Sequence, residues 1–245
     1  MSRNRRRSGN PPYGQYGHFE IGELAQHVRL YRRAIAEYRK EIGLTNYYKA
    51  HYNLGTIFGE RGRYDKAIRS YQSALRQRPD LGDAYNNLGI IYRRRRQYRE
   101  AIRALSRACR IDPRDPVYRF NLGFAYVSAR KDREAIAAFR RTLALAPSHL
   151  DAMKNLGFLL VDMGHVPEGI RILVRARRIA PRDPEILADL ALGYLRQGGV
   201  AVAARVAHRA RRLSRKDRRV VAIFRRVREA TEKARKVRHA AGRSH

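Results

Sequence analysis

Five polar side chains recur in this chain at intervals of 34 residues, each directly before a Leu-Gly or Leu-Ala pair. They are Asn53, Asn87, Asn121, Asn155 and Asp189. An asparagine amide offers both a hydrogen-bond donor and an acceptor. A row of such amides can pair with the backbone of an extended peptide whatever its side chains. This spacing therefore predicts a surface for binding.

Arginine is the second residue type that suggests chemistry. Among 245 residues, 54 are Lys or Arg and 22 are Asp or Glu, which gives a net charge of +32. Most of the basic residues are arginine, whose planar fork matches phosphate and carboxylate oxygens. Such an excess predicts attraction to polyanions: nucleic acid, anionic lipid or an acidic protein surface.

Catalytic and cofactor chemistry finds little support in the sequence. The eight histidines are scattered and show no metal-ligand spacing, and neither a phosphate loop nor a nucleophile elbow is present. The single cysteine, Cys109, permits neither an intrachain disulfide nor a cysteine-based metal cluster. We therefore expect a protein that is not an enzyme and that has no cofactor, no metal site and no small-molecule substrate.

The sequence also suggests a location. No segment approaches the ~20 consecutive apolar residues of a membrane span. The basic start, Met1 to Arg7, is followed by Pro11 and Pro12 rather than by an apolar stretch, which argues against a secretory signal. The expected location is cytoplasmic.

The elements that position these residues are predicted to be pairs of helices. In the first regular unit Leu54, Gly55 and Phe58 mark a first helix, and Ala67, Tyr71 and Ala74 mark a second. Proline then stops the second helix, since it cannot continue a helix interior. The terminating prolines, 34 residues apart, are Pro79, Pro113, Pro147 and Pro181.

This spacing of Leu-Gly, Tyr, Ala, Phe or Tyr, Ala and Pro resembles the tetratricopeptide repeat (TPR) family over residues 48–217. Departures are Arg119 at a position that is usually bulky and apolar, Thr142 at a small one, and a fifth unit without its Gly and Pro. The resemblance implies an all-α solenoid, a right-handed superhelix of antiparallel helix pairs whose first helices line a concave groove.

The predicted organisation has five parts. Residues 1–18 form a disordered basic tail, since they have too few apolar side chains to offset their ordering entropy. Residues 19–47 form a degenerate N-terminal helical repeat, and residues 48–217 form five TPR units. Residues 218–240 form an amphipathic basic helix that caps the stack, its arginines on the outer, solvated face. Residues 241–245 are a tail.

The resemblance implies that the residue before Leu-Gly points into the groove. The candidate peptide-binding residues are Asn53, Asn87, Asn121, Asn155, Asp189, Tyr52, Asn86, Phe120 and Lys154. Phe124 and Phe158 would add aromatic floor. Two alternatives stay open: Asn-Leu-Gly is common in this family whatever the ligand, and Phe124 and Phe158 fit equally well as packing between neighbouring first helices.

The second helices point a different set of residues outward. Arg69 and Arg76 are seven residues apart and nearly eclipsed, roughly 200° around the helix from Ala67. The pattern recurs in later units, and Arg93 to Arg96 add a cluster at a turn. We define the arginine stripe as Arg69, Arg76, Arg93, Arg94, Arg95, Arg96, Arg103, Arg107, Arg110, Arg171, Arg175, Arg178, Arg205 and Arg212.

The function predicted from these two surfaces is that of a non-enzymatic scaffold or adaptor. Its groove would bind an extended segment of a partner protein, and its convex arginine stripe would dock on a polyanionic assembly. The alternative is a basic TPR protein whose primary partner is RNA or a ribosome-like particle. Association with an anionic membrane through the cap helix ranks lowest, because the apolar face of that helix is needed to close the stack.

Overall fold

The computed structural model describes residues 32–43 and 47–241, and within them every regular element is an α-helix. The predicted tail 1–18, residues 19–31 and 44–46 of the degenerate repeat, and residues 242–245 of the predicted tail 241–245 lie outside the described residues, whereas Ala241 ends the last helix. The helices are α1 (32–43), α2 (Tyr48–Glu60), α3 (Tyr64–Gln77), α4 (Gly82–Arg94), α5 (Tyr98–Ile111), α6 (Pro116–Ser128), α7 (Asp132–Leu145), α8 (Leu150–Asp162), α9 (Val166–Ile179), α10 (Pro184–Arg196), α11 (Val200–Leu213) and α12 (Arg218–Ala241).

The chain divides into two compact units, Met1–Gln77 and Arg78–His245. In the first unit α2 packs on α3, and the ring of Tyr71 lies directly against Gly55. The Tyr71 hydroxyl lies 3.1 Å from the hydroxyl of Thr56, which fixes the register of the pair.

The second unit contains four helix pairs and the cap. Each first helix packs on its own second helix, and each second helix packs on the first helix of the next pair. First helices also meet directly, α4 with α6 and α8 with α10. The cap helix α12 lies on α10 and α11, where Val220, Ile223 and Val227 are buried. Buried apolar residues form one cluster over α5 and α6 and another from α7 to α12, and the partly buried Tyr126 packs against both. Each pair thus shares its core with its neighbours, as in a repeat protein.

The Leu-Gly glycines are sites of close helix approach. A Cβ at Gly89 would lie 2.4 Å from Cγ of Leu105, and one at Gly157 would lie 2.5 Å from Cγ of Leu173. In each case the contacted residue belongs to the partner second helix. The helices can come this close only because glycine has no side chain, and this offsets its poor helix propensity.

The turn inside each pair contains one residue in the left-handed region. These residues are Gly62 (φ 68°), Arg96 (61°), Arg130 (59°), Gly164 (89°) and Gly198 (87°), again spaced by 34. A non-glycine residue costs roughly 1 kcal/mol or more in this region. Arg96 and Arg130 therefore occupy positions where glycine would avoid this backbone strain.

Replacing Arg130 with glycine is expected to stabilise the second unit by about 1 kcal/mol, because the left-handed conformation then costs nothing. Thermal unfolding followed by circular dichroism measures the change. The control Arg141→Gly removes an exposed arginine from the interior of α7. It should destabilise by about 1 kcal/mol, since glycine is a poor helix former. Destabilisation by both variants would contradict the strain at Arg130.

Candidate binding surfaces on the first and second helices

Hydrogen bonds within the protein orient the asparagine amides of the second unit. Nδ2 of Asn121 donates to Oδ1 of Asn86 over 2.8 Å, and Nδ2 of Asn86 reaches Oδ1 of Asn87 over 3.4 Å. Nδ2 of Asn155 donates to the carbonyl of Asp151 over 2.7 Å. We call Asn87, Asn121 and Asn155 the amide row. All three are partly exposed, so the network orients their amides without burying them.

Asn86 differs from the amide row because it is only 7% exposed. Its carbonyl oxygen is occupied by the amide of Asn121, which joins α6 to α4. The sequence placed Asn86 among ligand contacts, whereas the structure gives it a role between neighbouring first helices.

Aromatic side chains lie beside the amide row. The ring of Phe120 is 5.3 Å from that of Phe124 and 4.6 Å from the imidazole of His149. Both phenylalanines also contact the buried Phe139, yet both remain partly exposed. Arg93 extends over the Phe124 ring at 5.3 Å. Phe124 thus packs on the core and is also partly exposed, so it can both pack between helices and contact a ligand.

Arg93 differs from the other members of the arginine stripe in its burial and its contacts. It is partly buried, and that burial lowers the pKa of its guanidinium. Its contact with Phe124 places it on the same face as the aromatic rings. Arg93 thus belongs to the first-helix surface rather than to the outward face predicted for it.

Lys154 is held between two carboxylates. Its Nζ lies 2.9 Å from Oδ2 of Asp183 and 2.6 Å from Oε2 of Glu185. Burial lowers the pKa of Lys154, but hydrogen bonds to Glu185 and Asp183 outweigh it, so the pKa is raised. The ammonium is charged and locally compensated. Lys154 therefore links α8 to the start of α10, and it adds no net positive charge to the surface.

Asp189 is the largest departure from the sequence-based expectation. It is 1% exposed, and its Oδ2 accepts a hydrogen bond of 2.6 Å from Nη2 of Arg219 on the cap helix. The Arg219 guanidinium also lies over the ring of Phe158, 4.0 Å from its centre. Arg219 therefore points into the stack and covers both residues, although the sequence placed it on the solvated face of the cap.

The buried carboxyl of Asp189 is hard to ionise. Burial raises its pKa to about 7, while the charge and hydrogen bond of Arg219 oppose the shift. Glu185 adds to the rise and Lys154 opposes it. A carboxylate held here is not available to a ligand.

Two of the candidate groove residues, Asn53 and Tyr52, lie in the first unit. Asn53 and Tyr52 are partly exposed on α2. The ring of Tyr52 lies 5.7 Å from that of Tyr71, so it also packs on α3.

The other members of the arginine stripe are exposed or partly exposed. Some have local partners: Nη2 of Arg103 lies 3.3 Å from Glu100, and Arg175 donates to the carbonyl of Pro147. Among the described residues, Arg107, Arg171 and Arg178 have no carboxylate within ion-pair distance. The outward faces of α5 and α9 therefore present uncompensated positive charge.

Metal-binding, nucleophilic and membrane-spanning features have little support among the described residues. Residues 32–43 and 47–236 contain no cluster of three or more His, Cys, Asp or Glu side chains suited to a metal. Cys109 is 5% exposed, and burial raises the pKa of its thiol, which favours the unreactive protonated form. No described helix is both long and apolar enough to cross a bilayer.

Comparison with protein-family models gives two matches. Both models are described as tetratricopeptide repeat, and they cover residues 52–116 and 126–193, together more than half of the chain. A search of curated protein sequences found no significant match.

Solved structures show the same fold. YrrB, a TPR protein with an unusual peptide-binding site, is 17% identical, with a TM-score of 0.67 over 76% of this chain and 96% of that one. MamA from Desulfovibrio magneticus is 18% identical, with a TM-score of 0.64 over 70% and 97%. TTC0263, a thermophilic TPR protein from Thermus thermophilus, is 20% identical, with a TM-score of 0.54 over 74% and 98%. The fold is an all-α solenoid of helix pairs.

Proposed function

Because the chain belongs to the tetratricopeptide repeat family, we propose that it is a non-enzymatic scaffold that holds an extended segment of a partner protein in a groove lined by its first helices. The second proposed contact is the arginine stripe, which docks on a polyanionic assembly. Apart from Arg93 and Arg94, which end the first helix α4, the stripe lies on second helices and a turn, so one protein would bridge two partners.

The observation that carries the proposal is the geometry of the amide row. Asn87, Asn121 and Asn155 lie at one register position on three successive first helices, and each is partly exposed. Hydrogen bonds within the protein already orient these amides. An oriented amide loses little further entropy when it binds a peptide backbone, which favours affinity. The aromatic rings of Phe120 and Phe124 beside them fit apolar side chains of the same segment.

YrrB offers a precedent for a binding role. It shares the fold and is a TPR protein with an unusual peptide-binding site. That likeness supports a peptide ligand here without identifying its sequence.

The amide row can be tested by alanine substitution. Peptides are first selected on the intact chain from a displayed random library, and the affinity of the best one is measured by fluorescence anisotropy. We expect Asn87→Ala, Asn121→Ala and Asn155→Ala together to weaken binding at least ~30-fold, since several backbone hydrogen bonds of roughly 1 kcal/mol each are lost. Circular dichroism should show an unchanged helix content.

A matched control keeps this test specific. Ser148→Ala and Gln197→Ala remove exposed polar groups from turns in the same unit. This pair should bind the selected peptide as the wild type does. Equal binding by the amide-row variant and the wild type would rule out the row as a peptide contact.

RNA or a ribonucleoprotein as the primary partner is the second candidate. It is favoured by the exposed arginines of α5 and α9 and by Arg96, which keeps a charged side chain at a position where glycine would cost less. No helix-turn-helix, zinc-finger or RNA-binding motif is evident in the sequence, so contacts would go mainly to phosphates.

Salt dependence distinguishes this candidate. Binding of a fluorescent single-stranded RNA should weaken steeply between about 50 and about 200 mM salt as counterions are released. Replacing Arg94, Arg95 and Arg96 with glutamate should reduce the slope of log affinity against log salt by about 2. A flat salt response would remove RNA from consideration and leave the groove as the primary site.

A further inference from the structure

The cap helix α12 lies in the register of a sixth first helix. Ile223, Phe224 and Arg225 stand 34 residues after Asp189, Leu190 and Ala191, at the place of Asn-Leu-Gly. Like a first helix, α12 packs on the preceding pair, through α10 and α11. In the other pairs the residues at the Leu-Gly positions contact the second helix of the same pair. Phe224 and Arg225 therefore mark the face of α12 against which a sixth second helix would pack.

The exposure of Phe224 shows that this side is open. The leucines at the same register in the second unit, Leu88, Leu122, Leu156 and Leu190, are at most 5% exposed, because each packs within its own helix pair. Phe224 is only partly buried, and its nearest ring neighbour is His208 of α11 at 4.9 Å. An aromatic side chain at a core position therefore faces a cleft.

The cleft itself has a defined chemistry. It has a volume of about 380 Å³ and lies between α11 and α12. Val221 and Phe224 form its apolar part, and Arg211, Arg225 and Arg228 line its sides together with Glu229 and Glu232. Nη1 of Arg211 is buried and donates to no acceptor among the described residues. A partner carboxylate that enters the cleft can accept a hydrogen bond from this nitrogen.

We propose that this cleft is the seat of an amphipathic helix from a partner protein, which takes the place of a sixth second helix. Its apolar side packs on Val221 and Phe224, as Leu105 packs on Gly89 within the chain. Its flanks present carboxylates to Arg211 and Arg225. Arg225 stands at the glycine position, so the helix lies farther from α12 than α5 lies from α4, and a charged contact fills that gap.

Charge decides between an acidic partner and a second copy of this chain. Between Arg218 and Lys236, α12 has eight basic residues and two acidic ones, Glu229 and Glu232. Two such helices facing each other would repel, whereas an acidic helix would be attracted. Among occupants of the cleft, an acidic amphipathic helix is therefore favoured.

The probe for this site is made from the chain's own second helix. It is a stapled, fluorescein-labelled peptide with the α5 sequence, Tyr98–Ile111, in which Arg99, Arg103, Arg107 and Arg110 are changed to Glu and Cys109 to Ser. Its apolar side is otherwise unchanged. We expect the intact chain to bind it at physiological salt at least ~10-fold more tightly than a stapled peptide of the same composition in scrambled order.

Two exposed-site variants locate the binding. The double variant R225E and R228E should weaken binding at least ~10-fold, because it reverses two charges that line the cleft. The control, R226E and R235E, makes the same change of charge at other exposed positions of α12 and should leave binding within about 2-fold.

Three results would overturn the proposal. They are equal affinity for the scrambled peptide, equal loss in both variants, and sedimentation showing a dimer that R225E and R228E abolish. The last result would assign the cleft to a second copy of the chain. The amide-row variant should bind this probe normally, so failure here is distinguishable from failure of the groove.

Discussion

Replacing Arg219 with methionine is expected to lower the free energy of unfolding by about 2–3 kcal/mol at pH 8 and by less than about 1 kcal/mol at pH 5.5. The variant removes the only described hydrogen-bond partner of the Asp189 carboxyl, which is 1% exposed. At pH 8 that carboxylate must stay buried without its partner or take up a proton at a cost. At pH 5.5 it is protonated already, because its pKa is about 7.

The pH dependence has a defined sign. The folded pKa of Asp189, about 7, lies above its ordinary value of 3.8. Between these values the folded state binds more protons than the unfolded state, so this group's contribution to stability is lost as pH rises through 7. Asp189→Asn should abolish that loss. Urea unfolding of wild type and both variants at pH 5.5 and pH 8 measures these differences.

A double variant separates the ion pair from simple packing. Asp189→Leu with Arg219→Met replaces the pair by apolar groups of similar size and should recover most of the stability at pH 8. Equal destabilisation by Arg219→Met at both pH values would show that the Asp189 charge plays no part in closing the stack.

Replacing Gly169 with alanine is expected to destabilise the second unit by about 2 kcal/mol, although alanine is the better helix former. The new Cβ would lie 2.7 Å from Cγ2 of Val161, 2.8 Å from the carbonyl oxygen of Gly157 and 2.9 Å from the backbone nitrogen of Val161. Two of these atoms are backbone, so the clash is relieved only if α8 and α9 move apart.

The periodicity alone leads to the opposite expectation. Ala67, Ala101, Ala135 and Ala203 occupy the same register as Gly169, so a substitution toward the common residue looks favourable. The control Gly43→Ala places its Cβ where no atom lies within 4 Å. It should not destabilise the chain. A higher melting temperature for Gly169→Ala than for wild type would contradict the close packing of α8 on α9.

The helix pairs were predictable because their signals are local. Leu-Gly, the paired alanines and the terminating prolines recur at one period. Each marks a helix end or a contact within one helix pair or between neighbouring pairs. The left-handed residue in each turn has an equally local signal, although only the turns themselves were predicted. Gly62, Gly164 and Gly198 share the period with Arg96 and Arg130, and together they predict a left-handed turn residue.

The binding surface was less predictable because the exposure and charge of its side chains depend on contacts between neighbouring helix pairs. Register places Asp189 with the asparagines, but Arg219, 30 residues later, covers it. Lys154 is compensated by two carboxylates from the next helix pair, and Asn86 is tied to Asn121. Periodicity predicts the helix face on which a side chain lies. It does not predict which side chains of neighbouring helices cover or bind it.

The most direct test of the scaffold proposal is NMR of the side-chain amides. The NH₂ signals of Asn87, Asn121 and Asn155 are followed while a peptide selected on the intact chain is titrated in, with the Arg107 and Arg171 guanidinium signals as an internal comparison. We expect the three amide signals to shift together, with one dissociation constant, while the two arginine signals stay in place. Shifts confined to the arginine signals would contradict a peptide-binding role of the groove.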